Sequence, residues 1–378
     1  MMTRLTPRML AGLLVAGLWM GFSPPAAQAQ TVAKYGADFL AGGVGARALG
    51  MGGAYVGLTD DVHAVYWNPA GLSGLSNPEL AYMHAERFAG VVSFDYAAGA
   101  FPVNEQSVVA AALFRSGVND IVNTLDAWDP ILDQPKPNPE QFFRRFSAAD
   151  YAFVLSYARR VNEQLSVGVS GKIIRRTIGD FADAWGYSVD VGVRYQTSRW
   201  AVGANVQDVS TMLQSWSIDR QAFSLSDTNP ETGQPYTFEE AFGQALPEGG
   251  TYLVLPVARL GGATFLPFGQ SRVTASLDVD VAFDGQQTYV FNAGDVSFHP
   301  RVGAEYSYRE VVALRAGISR FTHSERYGLN VTPSVGAGLR LRQISVDYSF
   351  GDFAGLTSDL GFSHRVSLQV SLRRDDDA

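Results

Sequence analysis

The sequence predicts an all-β fold, a transmembrane antiparallel β-barrel of about 14 strands. Three observations indicate it: apolar and polar residues alternate along many segments, most segments have similar lengths, and the links between them alternate between short and long. About ten residues at about 3.3 Å each, tilted by about 40°, rise roughly 25 Å, which matches the apolar band of a bacterial outer-membrane barrel. We therefore expect the chain in the outer membrane, in contact with lipid and lipopolysaccharide.

The N-terminus has the pattern of a secretory signal peptide. Arg4 and Arg8 precede an apolar stretch over residues 9–22, and a small-residue triplet ends at Ala29, so we expect residues 1–29 to be removed. The apolar stretch is shorter than the roughly 20 residues that a membrane helix needs. No later apolar run is long enough either, so a membrane-embedded mature chain crosses as strands.

The mature chain is acidic and has no cysteine. Loss of Arg4 and Arg8 takes the formal net charge from −8 to about −10, which disfavours nucleic acid as a partner. The absence of cysteine excludes disulfides and thiolate metal sites. The 39 glycines and 12% aromatic residues suit many strands joined by tight turns, although this composition also permits a large soluble β protein.

Period-two alternation is clearest over residues 187–195 and 272–283. In both segments the odd-numbered residues are apolar or aromatic, whereas the even-numbered ones include Asp190, Arg194, Asp278 and Asp280. We predict that the apolar faces contact lipid and that the charged faces surround an occupied lumen. Candidate strands begin near residues 79, 90, 106, 149, 164, 185, 198, 252, 270, 298, 311, 331, 343 and 362.

The links between these strands distinguish a membrane barrel from a soluble sandwich. We interpret the links after strands 2, 4, 6, 8, 10 and 12 as short turns, and those after strands 3, 5, 7, 9, 11 and 13 as long loops, the largest near 117–148 and 210–251. Short periplasmic turns and long extracellular loops have this parity. The barrel is thus predicted over 79–374, with both termini in the periplasm.

Aromatic residues near strand ends predict the girdles that mark the two membrane interfaces. High strand propensity of aromatic residues is the alternative explanation. The residues concerned are Trp185, Tyr187, Tyr195, Trp200, Tyr289, Tyr306, Tyr308 and Tyr348.

Residues 30–78, before the first strand, are too irregular for strand pairs and too apolar for a free tail. Gly43, Gly45 and Ala48 match the spacing of a dinucleotide-binding loop, but no βαβ unit surrounds them, so we reject nucleotide binding. The glycines here instead allow tight folding inside a narrow lumen.

The phrase GARALGMGGAYVGLTDDVHAVYWNPAGL, residues 45–72, closely resembles the N-terminal signature of the FadL-like outer-membrane proteins, especially the PorV/PorQ branch. The likeness is strong over residues 37–75 and diffuse beyond. It implies that residues 30–78 form a hatch, or plug, inside a 14-stranded barrel, with Asn68, Pro69, Ala70 and Gly71 within it.

The hatch residues have two interpretations that stay open at this stage. Asn68 precedes a proline and either anchors the hatch by a local turn or touches a ligand. Arg47, Asp60 and Asp61 are expected to pair with charges of the lumen wall. The candidate wall partners are Asp190, Arg194, Asp278, Asp280, Glu305 and Arg340.

The sequence gives little support for catalysis or for metal binding. The five histidines lack a metal-ligand spacing, and no Gly-x-Ser-x-Gly elbow occurs. Asp278 and Asp280 with Asp284–Gly285 lack the spacing of a calcium loop, and strand alternation accounts for the first two. We therefore expect no enzyme, no cofactor and no metal.

A short amphipathic helix is predicted in the longest loop. Thr237 and Glu240 have the spacing of a capping box, and Phe238, Phe242 and Leu246 share one face of the helix that follows. Residues 139–146 suggest a second helix. These faces either pack against neighbouring loops or face a partner protein or hydrophobic ligand.

Two functions follow from the resemblance. The PorV/PorQ likeness implies an accessory of type IX protein secretion, which holds or shuttles exported cargo at the cell surface together with components of the secretion machinery. The alternative is FadL-like passive transport of a hydrophobic small molecule across the outer membrane. The sequence favours the first slightly, because the phrase around Asn68 matches that branch better.

Overall fold

The computed structural model describes residues 38–283, 290–324, 328–351 and 362–372. Within these ranges fourteen antiparallel strands form a closed barrel, as predicted, because β1 pairs with both β2 and β14. In chain order they are β1 Glu79–Arg87, β2 Val92–Asn104, β3 Ser107–Asn123, β4 Arg144–Arg160, β5 Leu165–Ile178, β6 Ala182–Gln196, β7 Trp200–Gln207 and Met212–Ile218, β8 Gly250–Val254 and Val257–Phe268, β9 Ser271–Ala282, β10 Val296–Tyr308, β11 Val312–Ser324, β12 Gly328–Leu341, β13 Ile344–Gly351 and β14 Ser363–Ser371.

The two faces of the strands differ as predicted. Outward-facing Leu113, Tyr187 and Leu277 are 50%, 55% and 56% exposed, whereas Asp190 and Asp278 on the inner face are buried. Large apolar side chains cover the outer surface on every strand, an arrangement that is stable in lipid and not in water. The fold is therefore that of an outer-membrane β-barrel. The predicted girdle residues Trp185, Tyr187, Trp200, Tyr306, Tyr308 and Tyr348 lie exposed on this outer face.

Several features predicted from the sequence lie outside the described residues. They are the signal peptide (1–29), residues 30–37 of the hatch, Tyr289, Asp284–Gly285 and the tail from residue 373.

The predicted loop lengths are partly wrong, because several strands run further than the membrane requires. β3 continues to Asn123 and β4 begins at Arg144, so the first long loop is 124–143 instead of 117–148. The second is 219–249 instead of 210–251. The link after β5 is only residues 179–181, and the ends of β11 and β12 leave only 325–327 between them.

The helices are short, and in the described ranges none is long and apolar enough to span a membrane. Residues 38–78, the described part of the segment that we call the hatch, contain two α-helices and two 3₁₀ helices, and the long loops contain the others. The hatch helices are the 3₁₀ helix Asp38–Gly42, α1 Ala46–Gly50, α2 Ala64–Trp67 and the 3₁₀ helix Pro69–Gly74; the loop helices are Leu125–Ala127, Pro139–Phe142, Gln221–Phe223 and α3 Phe238–Phe242. Two short strands, Trp128–Asp129 and Gln134–Pro135, pair within the first loop, and Phe291–Ala293 pairs with β10.

β7 and β8 are interrupted at neighbouring places in the wall. Asp208 and Thr211 adopt left-handed backbone angles, φ 56° and 57°, between the two segments of β7. Pro256 lies between the two segments of β8, where its missing N–H cannot join the ladder. The pairing of β7 with β8 is consequently interrupted between Gln207↔Val257 and Met212↔Val254.

Candidate functional site: the hatch and the lumen cavity

Residues 38–78 lie against a row of inward-facing glycines that we call the glycine belt. A Cβ atom on any of these glycines would meet hatch atoms. Three pairs of them stand directly opposite each other on neighbouring strands. The belt comprises Gly168 on β5, Gly192 on β6, Gly203 on β7, Gly261 on β8, Gly303 on β10, Gly317 on β11 and Gly336 on β12.

Asn68 joins the hatch to this belt. Its Nδ2 donates to the carbonyl oxygens of Val56 (3.3 Å) in the hatch and Val193 (3.1 Å) in β6. Its Oδ1 accepts from the backbone N–H of Ala70 at 3.1 Å. A Cβ on Gly203 would lie 2.8 Å from this amide. Asn68 thus caps the following 3₁₀ helix and also fixes the hatch to the wall, which supports the anchoring interpretation.

The rest of the motif packs equally closely. Pro69 begins the 3₁₀ helix, and Pro69 and Ala70 lie against Gly168. Gly71 packs inside the hatch, where a Cβ would come within 2.6 Å of the Thr59 carbonyl oxygen. A larger residue at Gly168 would push the hatch off the wall, and one at Gly71 would clash within the hatch.

Arg47 forms the predicted ion pair with the wall. It meets Glu305 of β10 through two bonds of 3.0 Å, and its Nη1 lies 3.4 Å from Asp60. Glu305 also accepts from Arg315 at 2.6 Å, and Arg315 reaches Asp347 at 2.7 Å. This charge network ties α1 to β10, β11 and β13.

Asp61 pairs within the hatch, not with the wall as predicted. It accepts from the Tyr55 hydroxyl at 2.7 Å and lies 3.2 Å from Nδ1 of His63. Burial alone would raise the pKa of Asp61, but His63, Arg47 and Tyr55 outweigh burial and hold it well below its usual range. Burial would likewise lower the pKa of His63, yet Asp61 raises it above the usual value.

The other predicted wall partners serve the hatch backbone or point elsewhere. Asp278 accepts the N–H groups of Tyr55 and Val56, both at 2.7 Å, and Arg194 donates to the Gly57 carbonyl at 3.1 Å. Arg340 is exposed and donates to Ser345 across the turn after β12, so its expected pairing with the hatch is wrong.

A cavity of about 930 Å³ lies between the hatch and the end of the barrel that carries the long loops. Its floor consists of hatch side chains that are apolar or aromatic. These are Phe39, Leu40, Leu49, Val65, Tyr66 and Trp67. Such a floor can bind apolar molecules by burial alone.

Charged wall residues border one side of this cavity and are paired with each other. Lys172 lies 2.8 Å from Asp190 and 2.7 Å from Asp208. Asp280 pairs with Arg301 and, at 3.5 Å, with Arg259. The Arg259 guanidinium stands 5.1 Å from the Tyr66 ring centre, which orients the floor by a cation–π contact.

The loop helix α3 has the predicted capping box between Thr237 and Glu240. It ends at Phe242, because Gly243 adopts a left-handed φ of 64°, so Leu246 lies buried beyond the helix instead of on its face. Phe242 packs against Trp128 of the other long loop, with ring centres 6.3 Å apart. The second predicted helix is a 3₁₀ turn over Pro139–Phe142.

In the part of the chain that the structure describes, no three acidic or histidine side chains are arranged to hold a metal ion. The site consists of a cavity with an apolar floor and a partly charged wall, above a hatch that polar bonds anchor.

Solved structures with the same fold include proteins that are named as a channel, a transporter and a FadL homologue. The monoaromatic hydrocarbon channel CymD superposes with a TM-score of 0.55 at 14% identity, covering 88% of this chain and 98% of that one. The toluene transporter TbuX of Ralstonia pickettii gives 0.54 at 13%, covering 89% and 100%. A FadL homologue from Pseudomonas aeruginosa gives 0.53 at 12%, covering 87% and 98%.

The fold is thus that of FadL-type outer-membrane barrels. No family model matches the sequence. No curated protein matches it either. At 12–14% identity the structural likeness establishes the fold and leaves the ligand open.

Proposed function

We propose that this chain is a passive channel that admits small hydrophobic molecules through the outer membrane. The observation that carries the proposal is the cavity of about 930 Å³ with an apolar floor. A volume of roughly 300–1,000 Å³ is typical of sites for small organic ligands. Passive diffusion fits, because the described residues supply paired charges and aromatic surfaces and no catalytic constellation.

The similar structures support this proposal. Two of them are named as a monoaromatic hydrocarbon channel and a toluene transporter. We propose the same chemical class, apolar molecules of about one aromatic ring, for this chain. The cavity lies at the long-loop end, which we propose faces the outside of the cell, with both termini in the periplasm.

The secretion-accessory hypothesis gains no support. None of the structures named above is a secretion protein, and Phe242 of the loop helix α3 packs against Trp128 of the neighbouring loop. It stays a prediction of the sequence resemblance alone.

Uptake of toluene by intact cells tests the proposed function. Cells without hydrocarbon channels of their own, expressing the full chain, are expected to take up radiolabelled toluene faster than cells with an empty vector. Leu49→Lys places a charge on the cavity floor and is expected to reduce this uptake several-fold. Leu132→Lys, in the exposed part of the first long loop, is the matched control and should leave uptake unchanged. Equal uptake with and without the protein would contradict the proposal.

A further inference from the structure

The inner face of the barrel is divided into an apolar part and a charged part. On β1–β4 most inward side chains are apolar, the charged exceptions being Glu79, Arg87, Asp150 and Arg160, and on β8–β14 most are charged or hydroxylated. The apolar set joins the hatch in one hydrophobic cluster. Its wall members on β1–β4 are Ala81, Met83, Ala85, Phe94, Tyr96, Ala98, Ala100, Val108, Ala110, Ala112, Phe114, Ala152, Val154 and Ala158.

The charged part holds the hatch by directional bonds. Arg47 pairs with Glu305, Asp278 accepts two backbone N–H groups, and Ser367 accepts the N–H of Ala46 at 2.7 Å. Separating these surfaces would leave buried polar groups without partners, which is costly. The hatch is consequently fixed on this side.

The apolar part holds the hatch mainly by apolar contacts, with a few hydrogen bonds on its outer strands. Among these, Arg160 of β4 donates to the Ser73 carbonyl at 2.7 Å, and Glu79 of β1 accepts from the Val62 N–H at 3.1 Å. Val62, Val65, Leu72 and Leu75 of the hatch face it as part of the same cluster. A hydrophobic solute that enters between two apolar surfaces replaces one apolar contact by another and strands no polar group. A passage can therefore form along the apolar part at lower cost than along the charged part.

Phe114 stands where the cavity meets this apolar interface. It lines the cavity, whereas Ala112 and Ala110, further along the inner face of β3, do not. Its ring lies 4.9 Å from that of Tyr96, its direct partner on β2, and 6.1 Å from that of Tyr66 in the hatch. Beyond it, alanines face each other across β2 and β3: Ala112 opposite Ala98, and Ala110 opposite Ala100.

We infer that the solute passes between the hatch and strands β1–β4, along this alanine-lined strip, and that the Phe114 ring sets the largest size admitted. The inference rests on the proposed function and adds a route and a size-determining residue to it. Alanines give a narrow, smooth apolar wall, and Phe114 with Tyr66 and Tyr96 closes its entrance.

Substitution of Phe114 tests the size limit. We expect Phe114→Ala to raise the uptake of naphthalene relative to toluene several-fold in intact cells, and Phe114→Trp to reduce the uptake of both. Met212→Ala removes a buried apolar side chain from β7, away from the strip, and should keep the wild-type ratio.

Cysteine labelling tests the route while Phe114 and the rest of the barrel wall stay unchanged. The protein has no cysteine, so Ala112→Cys and Ser307→Cys each introduce one inward-facing thiol, on the strip and on the charged part respectively. Saturating toluene is expected to slow the reaction of N-ethylmaleimide at position 112 several-fold and to leave position 307 unaffected.

The outcomes separate the two proposals. If cells that express the wild-type protein take up no more toluene than cells with an empty vector, the proposed function and the proposed route are both wrong. If wild-type uptake is present, but the Phe114 variants keep the wild-type naphthalene-to-toluene ratio or toluene protects position 307 instead of 112, the inference on the route is wrong while the channel function stands.

Discussion

The Asn68 side chain can lie against the wall because the facing positions 192 and 203 carry no side chain. A Cβ on Gly192 would overlap Oδ1 of Asn68. We expect Gly192→Ala to displace this amide and to cost about 1–3 kcal/mol in bonds and packing. The temperature at which the folded barrel unfolds in detergent, read from its gel mobility, should fall. Gly171→Ala on β5 is the control, since a Cβ there meets nothing within 4 Å; equal melting of both variants would contradict the anchoring role.

The pair of Asp61 and His63 should make the stability of the protein depend on pH. The raised pKa of His63 means that its contribution is complete below about pH 6.5 and is lost as the pH rises through the raised value. The lowered pKa of Asp61 means that its contribution to stability is complete above about pH 4. This contribution is lost only as the pH falls through the lowered value, in strongly acid conditions.

We therefore expect the unfolding temperature to fall from neutral to alkaline pH, and to fall less in His63→Gln, which cannot be protonated. Unfolding measured at several pH values with both proteins checks this. A wild-type protein with the same pH profile as the variant would show that the pair does not stabilise the hatch.

For single residues, the sequence indicated which side chains are important, but it indicated less well which groups they contact. The phrase around Asn68 and the charge of Arg47 pointed to anchoring, and Arg47 does meet Glu305. The glycine belt was missed, although strand alternation already places Gly168 and Gly192 on the inner face beside Ser170 and Asp190. Pairing of Asp61 inside the hatch could not be predicted, because it depends on how an irregular segment folds back on itself.

Among the elements, α3 links the two long loops. The Phe238 ring lies 4.9 Å from Phe242 and 6.0 Å from Phe223, and Phe242 reaches Trp128. We expect Phe238→Ala to remove about 1 kcal/mol of aromatic contact and to make loop 219–249 more sensitive to protease added to intact cells. Gln234→Ala, exposed in the same loop, should cleave like the wild type. If both variants are cut at the same rate, α3 does not order the loop.

The strands were the most predictable elements, because one buried and one lipid-facing surface impose a strict period of two. Each observed strand begins within a few residues of its predicted start. Strand ends were less predictable, since β3 and β4 continue past the apolar band with polar residues that resemble a loop. The interruption of β7 at Asp208 could not be predicted, because an alternation of apolar and polar residues does not reveal left-handed backbone angles.

For the whole molecule, alternation and strand count were enough to predict a closed membrane barrel. The sequence contains the division of the lumen into an apolar and a charged part, because the inward positions carry alanines on β2 and β3 but aspartates and arginines on β9–β11. It was not recognised, because the neighbours of each strand around the ring matter as much as its own pattern. The function was less accessible: a short N-terminal phrase favoured a secretion accessory, whereas the similar structures are transporters and channels.

The pairing of β1 with β14 has a consequence for how the protein is assembled. The hatch immediately precedes β1, and the last strand contributes Ser367 to the start of α1. A barrel without the hatch would expose the alanine-rich strip to water, and it would leave Asp278 without its backbone donors and Glu305 without Arg47. We therefore expect the pairing of β1 with β14 to be most favourable during assembly once the N-terminal segment lies inside the barrel. The order of synthesis makes that segment the first part to arrive.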